Sequence, residues 1–136
     1  MVSTRGRYAL RVLIDLANNQ KDSYVPMKDV AVRQGVSLKY LEQILPLLKQ
    51  QNLVVGIQGK GGGYRLTKKP EEYTIGEILQ ATEKDLAPVE CLAEGALTCP
   101  RRSECKTIAF WEGLKNTVDS YLNSKTLADL LQTEYS

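Results

Sequence analysis

After Ser3 the apolar residues Ala9, Leu10, Leu13, Ile14, Leu16 and Ala17 recur three and four positions apart, ahead of the polar run NNQKD. That spacing predicts a helix with one buried face, and Ser3 is placed to cap its first turn. Beyond Pro26, "MKDVAVRQGVSLKYLEQILPLLKQQN" predicts a short helix, a tight turn at Gly35 and a longer helix capped by Ser37. A helix-turn-helix needs a small residue where its helices cross, a glycine in the turn and an aliphatic plug on the second helix. Ala31, Gly35 and Leu41 meet those needs. In the longer helix Leu38, Leu41, Leu45 and Leu48 are expected to face inward, leaving Lys39, Tyr40, Glu42, Gln43 and Lys49 outward. Pro46 removes one backbone donor within that helix, should bend it and marks the end of the recognition surface.

The pattern then changes period. "LVVGIQGKGGGYRLT" alternates and is broken by glycines, as in a β-hairpin whose tip needs positive φ, and a hairpin after a recognition helix is a wing. A phosphate-binding loop is excluded: it needs Lys followed by Ser or Thr and then a helix, whereas Lys60 is followed by Gly61 and a strand-like "YRL". "TIGEILQATE" opens with the box pair Thr74 and Glu77 and predicts a fourth helix. From about Ser103 to Leu122 a long helix carries Ile108, Trp111, Leu114, Val118 and Tyr121 on one side. "TLADLLQTEY", with Thr126 and Asp129 as a second box, predicts a last helix. The long apolar face exceeds what a small winged domain covers, so pairing with the same helix of a second chain is preferred over packing within one. The fold class is therefore mainly α: a winged helix-turn-helix over residues 1–70, then a helical dimerisation region over residues 71–136 holding the cysteine loop.

Charge sharpens this division. Residues 1–70 hold twelve Lys and Arg against four Asp and Glu, a balance of +8, and residues 71–136 hold six against twelve, a balance of −6. A basic winged half suits a polyanion, here double-stranded DNA. Arg5, Arg7, Lys39, Lys60 and Lys68 are candidates for phosphate contacts, which set affinity and register. Tyr40, Glu42 and Gln43 are candidates for base reading, since Gln can bond adenine and Glu can accept from cytosine. No apolar run is long enough to span a bilayer, and the charged start "MVSTRGRYALRV" does not suit a signal peptide, so a cytoplasmic protein without a membrane partner is expected.

The candidate chemistry lies in "CLAEGALTCPRRSEC", which holds all three cysteines of a chain with no histidine. In a reducing compartment clustered thiols point to metal or redox roles. Structural zinc usually takes four ligands and favours Cys-x-x-Cys pairs, which are absent. A thiol switch needs only two cysteines. An enzyme is not expected, because no nucleophile motif and no histidine base is present.

Taken together, "STRGRYALRVLIDLA", "VSLKYLEQIL", "GGGYRL", "YTIGEIL" and "CKTIAFWEGLKNTVDSYLNSKTLADL" resemble the IscR-type family of bacterial transcription regulators, from Ser3 to about Leu131. The resemblance implies a winged helix-turn-helix homodimer joined through the long C-terminal helix. It also implies an iron–sulfur cluster, 2Fe–2S or alternatively 4Fe–4S, whose ligands would be Cys91, Cys99 and Cys105. Such a protein would act at an operator, for instance as a repressor, and sense iron, iron–sulfur or oxidative status. The alternative is a regulator of the same fold controlled by thiol redox or by a partner protein. Two departures stand out: the Cys91 to Cys99 gap is longer than in IscR and closer to RirA-like members, and Ile108 falls where IscR has a histidine. Arg101 and Arg102 would favour the thiolates, and Asp85, Glu90, Glu94 and Glu104 are nearby oxygen donors. The resemblance singles out Glu42 for discrimination between operators, and puts Gln58 where IscR carries a wing arginine. Ser3, Ser37 and Gly61 complete the expected DNA-contact set.

Overall fold

The computed structural model describes residues 2–83, 86 and 106–133. Cys91, Cys99 and Cys105, with the neighbouring Arg101, Arg102, Asp85, Glu90, Glu94 and Glu104, lie outside the described residues.

The first helix, α1, spans Thr4–Asn19, and Ser3 Oγ accepts from the Gly6 amide at 3.2 Å. Its buried face holds Ala9, Val12, Leu13 and Leu16 at the centre of the core. α2 (Met27–Gln34) ends where Gly35 turns left-handed at φ 66°, and the Val36 amide closes the turn on the Ala31 carbonyl at 3.1 Å. A side chain there would be strained, so the turn requires its glycine. α3 (Leu38–Gln50) starts at Ser37, whose Oγ accepts from the Tyr40 amide at 3.0 Å, and runs through Pro46. Its buried stripe is Leu41, Ile44, Leu45 and Leu48. This corrects the expected stripe: Leu38 is 43% exposed and Ile44 is fully buried. At 100° per residue Leu38 falls on the border of the buried arc, and in the first turn no preceding turn covers it.

The wing is an antiparallel hairpin of β1 (Val54–Ile57) and β2 (Gly63–Leu66), with Val54 opposite Leu66 and Ile57 opposite Gly63. Val54 and Leu66 anchor its base in the core. Gly59 and Gly61 take positive φ at the tip, as the alternation predicted. Gly63 has a second reason to be glycine: Val25 pairs with Tyr64, and a Cβ at Gly63 would collide with the Val25 carbonyl. That pairing docks the wing on the segment that enters α2.

A 3-10 turn, Pro70–Glu72, leads to Tyr73, which is fully buried. Its hydroxyl donates to the Leu53 carbonyl at 2.6 Å and accepts from the Thr67 amide at 3.0 Å, tying the two ends of the wing together. α4 (Ile75–Thr82) is capped by Thr74, whose Oγ1 accepts from the Glu77 amide at 3.1 Å. Only that half of the expected box forms, because the Glu77 carboxylate takes Lys68 Nζ instead, at 2.6 Å. α5 (Ile108–Ser124) starts later than the expected Ser103, which lies outside the described residues. α6 is shorter than expected, Leu127–Leu131, and its Thr126–Asp129 box is complete in both directions.

Leu127 is fully buried, and its amide bonds to the Tyr73 carbonyl at 3.0 Å. Ile78, Leu79 and Leu127 share one core with the winged residues Leu13, Leu41 and Leu48. Among the described residues α5 differs from the other α-helices, since none of its residues is buried. Leu122, near its end, packs against the core, but Phe110 is 68% and Tyr121 63% exposed.

Candidate nucleic-acid interface

The exposed side of α3 carries Leu38, Lys39, Glu42 and Gln43, with Lys49 further along. Tyr40 behaves differently. It is half-buried and meets Tyr8 of α1 edge-on, with ring centroids 5.6 Å apart at 88°. Such edge contacts are favourable beyond the area they bury. They fix the start of α3 against α1 and leave Tyr40 only part of its surface for a ligand.

Tyr8 is also covered by Arg11, whose guanidinium carbon is 4.8 Å from the ring centroid and whose Nε donates to Gln34 Oε1 at 2.9 Å. Arg7, Tyr8 and Arg11 line an open cleft of about 230 Å³. Cation–π stacking and the bond to Gln34 together hold the Arg11 side chain in place. Arg11 was not among the residues expected to meet DNA, although its position one helical turn after Arg7 was a readable signal. The Tyr8–Tyr40 contact had none, because it joins separate helices.

Behind this surface Asp15 is almost fully buried, and Arg33 of α2 grips it by Nε and Nη2 at 2.7–3.2 Å. Gln34 Nε2 adds a bond to Oδ2 at 2.9 Å. The hydrogen bond to Asp15 holds the Arg33 guanidinium above its usual pKa. This network clamps α2, and with it the turn into α3, onto α1.

Arg5 and Arg7 are exposed at the start of α1. Ser3 is committed within the chain: its amide and hydroxyl both donate to Glu83 Oε1, at 2.9 and 2.7 Å. Glu83 caps the far end of α4, and its negative charge at the start of α1 suits the helix dipole. The wing tip exposes Gln58, Lys60 and Gly61. Lys68 stands apart from that tip, half-buried beside Glu77 with Nζ 4.9 Å from the Tyr73 ring centroid. Its charge is answered within the protein. Ser37 is exposed and spends one lone pair on the Tyr40 amide.

The described residues thus present a helix-turn-helix, a basic start of α1 and a wing with a cationic tip. Among them no cluster of carboxylates, thiols or imidazoles could hold a metal ion, and no helix is long and apolar enough to cross a membrane.

Comparison with known proteins agrees with this arrangement. The model of the Rrf2 family, described as an iron-dependent transcriptional regulator, matches residues 2–133. Protein rrf2 of Nitratidesulfovibrio vulgaris is 38% identical over 131 residues, covering 96% of this chain and 87% of that protein. The HTH-type transcriptional regulator IscR of Cronobacter sakazakii is 34% identical over 133 residues, covering 98% of this chain and 81% of that protein. Among solved structures, CymR, the global cysteine regulator of B. subtilis, superposes with a TM-score of 0.78 at 32% identity, covering 98% of both chains. IscR of T. potens superposes at 0.75 with 30% identity, covering 100% of this chain and 93% of that one.

Proposed function

The chain belongs to the Rrf2 family of transcriptional regulators, and from that premise we propose that an iron–sulfur cluster held by Cys91, Cys99 and Cys105 controls its binding to an operator. The family regulates transcription on DNA and is not a family of enzymes. The observation that carries the cluster is the gathering of three thiols within one stretch of a histidine-free chain that a family described as iron-dependent matches almost end to end. The donor set fits, because thiolates are the usual protein ligands of such clusters. When bound, the cluster supplies an iron–sulfur centre that responds to iron supply and oxidant.

The protein's own residues do the binding. Glu42, Gln43 and the exposed part of Tyr40 meet base edges in the major groove, while Arg5, Arg7, Lys39 and Lys60 neutralise phosphates. Ser37, Gln58 and Gly61 complete the contact surface. Ser3 and Lys68, each bonded to a carboxylate, act by positioning α1 and the base of the wing. The active species is a homodimer joined through α5, whose unburied Phe110 and Tyr121 support a partner helix.

A second reading is supported by the match to CymR, which has been solved from Staphylococcus aureus in an oxidized form. In that reading a pair of the cysteines acts as a thiol switch and no iron is bound. Purification without oxygen separates the two. Visible absorption with stoichiometric iron and sulfide, lost in each of Cys91→Ala, Cys99→Ala and Cys105→Ala, supports the cluster. No iron or sulfide, with DNA binding that responds to a disulfide reductant, overturns it in favour of the switch.

A further inference from the structure

A half-exposed leucine at the border of the buried face of a recognition helix is an odd choice for a surface that binds a polyanion. Leu41, Ile44 and Leu48 are fully buried and Leu45 is 2% exposed, yet Leu38, in the first turn, is 43% exposed. It has no polar atom, so it adds nothing to phosphate contacts. Its neighbours in the exposed arc are Lys39 and, one turn further along the same flank, Glu42. Both are polar, so Leu38 does not continue into an apolar patch along α3 that a partner protein would cover.

We propose that Leu38 is a specificity-determining residue that packs against the C5-methyl group of a thymine in the major groove, one contact in each half-site. Two observations and the chemistry of the bases converge on that occupant. The residue sits in the first turn of α3, the end of a recognition helix that reaches base edges. The clamp of Arg33 on Asp15 and the contact of Tyr40 with Tyr8 hold that turn fixed against α1. Thymine alone among the four bases offers a methyl in the major groove, and an aliphatic side chain is its natural complement. Glu42, beside Leu38, accepts from a cytosine amino group, so the pair would read an apolar and a polar feature on neighbouring bases.

This inference rests on the DNA-binding reading of α3. Its test starts from duplexes selected by the full-length protein out of a random library, with each thymine of the selected site then replaced in turn by uracil, which removes only the methyl. Wild-type binding should weaken about fourfold at one position per half-site, the worth of one buried methyl. In Leu38→Ala the same thymine-to-uracil change should have no effect, while thymine positions elsewhere respond as in the wild type. Equal sensitivity of wild type and Leu38→Ala at every position overturns the assignment and leaves the DNA-binding reading standing. Failure to enrich any duplex overturns both. A changed sedimentation coefficient for DNA-free Leu38→Ala would assign the side chain to contact between copies, and that too overturns the proposal.

Discussion

Arg33 Nη2 lies 2.7 Å from Asp15 Oδ1, and the two ends of this ion pair live in different surroundings: the Arg33 side chain is 38% exposed and that of Asp15 2%. The asymmetry decides which loss hurts more. Without Arg33 the buried carboxylate keeps, among the described residues, only Gln34 and Asn19 as side-chain partners. Arg33→Ala should therefore lower stability by about 2 kcal/mol in urea unfolding, the cost of an under-bonded buried charge. Asp15→Ala leaves an arginine that can turn to water and should cost less. Arg33→Ala as the milder of the two would place the pair among weak surface bridges.

The lysines of the wing should separate by their partners. Lys60→Ala at the exposed tip should weaken all duplexes alike and lower the slope of log affinity against log salt by about one. Lys68→Ala should change that slope far less, because Glu77 already takes its charge at 2.6 Å. Gln43→Ala should instead relax preference at particular bases, measured by competition with mutated duplexes.

Phe110→Glu and Tyr121→Glu are exchanges at exposed positions of a helix that has no buried residue among those described. Both should leave the helical circular dichroism of the core intact and shift sedimentation from dimer to monomer. Operator affinity should fall with the dimer, since two half-sites then bind independently. A variant that stays dimeric moves the interface away from α5.

The Asp129 carboxyl titrates below the usual carboxylate range, chiefly because it accepts from the Thr126 amide at 2.8 Å. Its folded value is depressed, so its contribution to α6 is present above the unfolded value and is lost as pH falls through the lower folded one. Carbon-detected NMR titration should find Asp129 half-protonated at a lower pH than an aspartate in an unfolded chain. Exchange of the Thr126 amide should speed up over the same window, and in Asp129→Asn that acid dependence should vanish.

Local chemistry decided much of this protein in advance. Ser3, Ser37 and Thr126 cap helices where the sequence puts them, Gly35 turns the chain between α2 and α3, and Gly59 and Gly61 at the wing tip take positive φ. Each of these depends on a residue and neighbours within a few positions, so spacing suffices to read it. Tertiary structure decided the rest. Whether Leu38 or Ile44 joined the core depended on what lay across from α3, and whether Glu77 completed its box depended on Lys68 arriving from the end of the wing. The burial of Asp15, the contact of Tyr8 with Tyr40 and the tie from Ser3 to Glu83 join residues 18 to 80 positions apart. A contact at such separation carries no periodic signature. Chain folding alone brings its partners together, and only the core shared by α1, α3, α4 and α6 fixes which pairs those are.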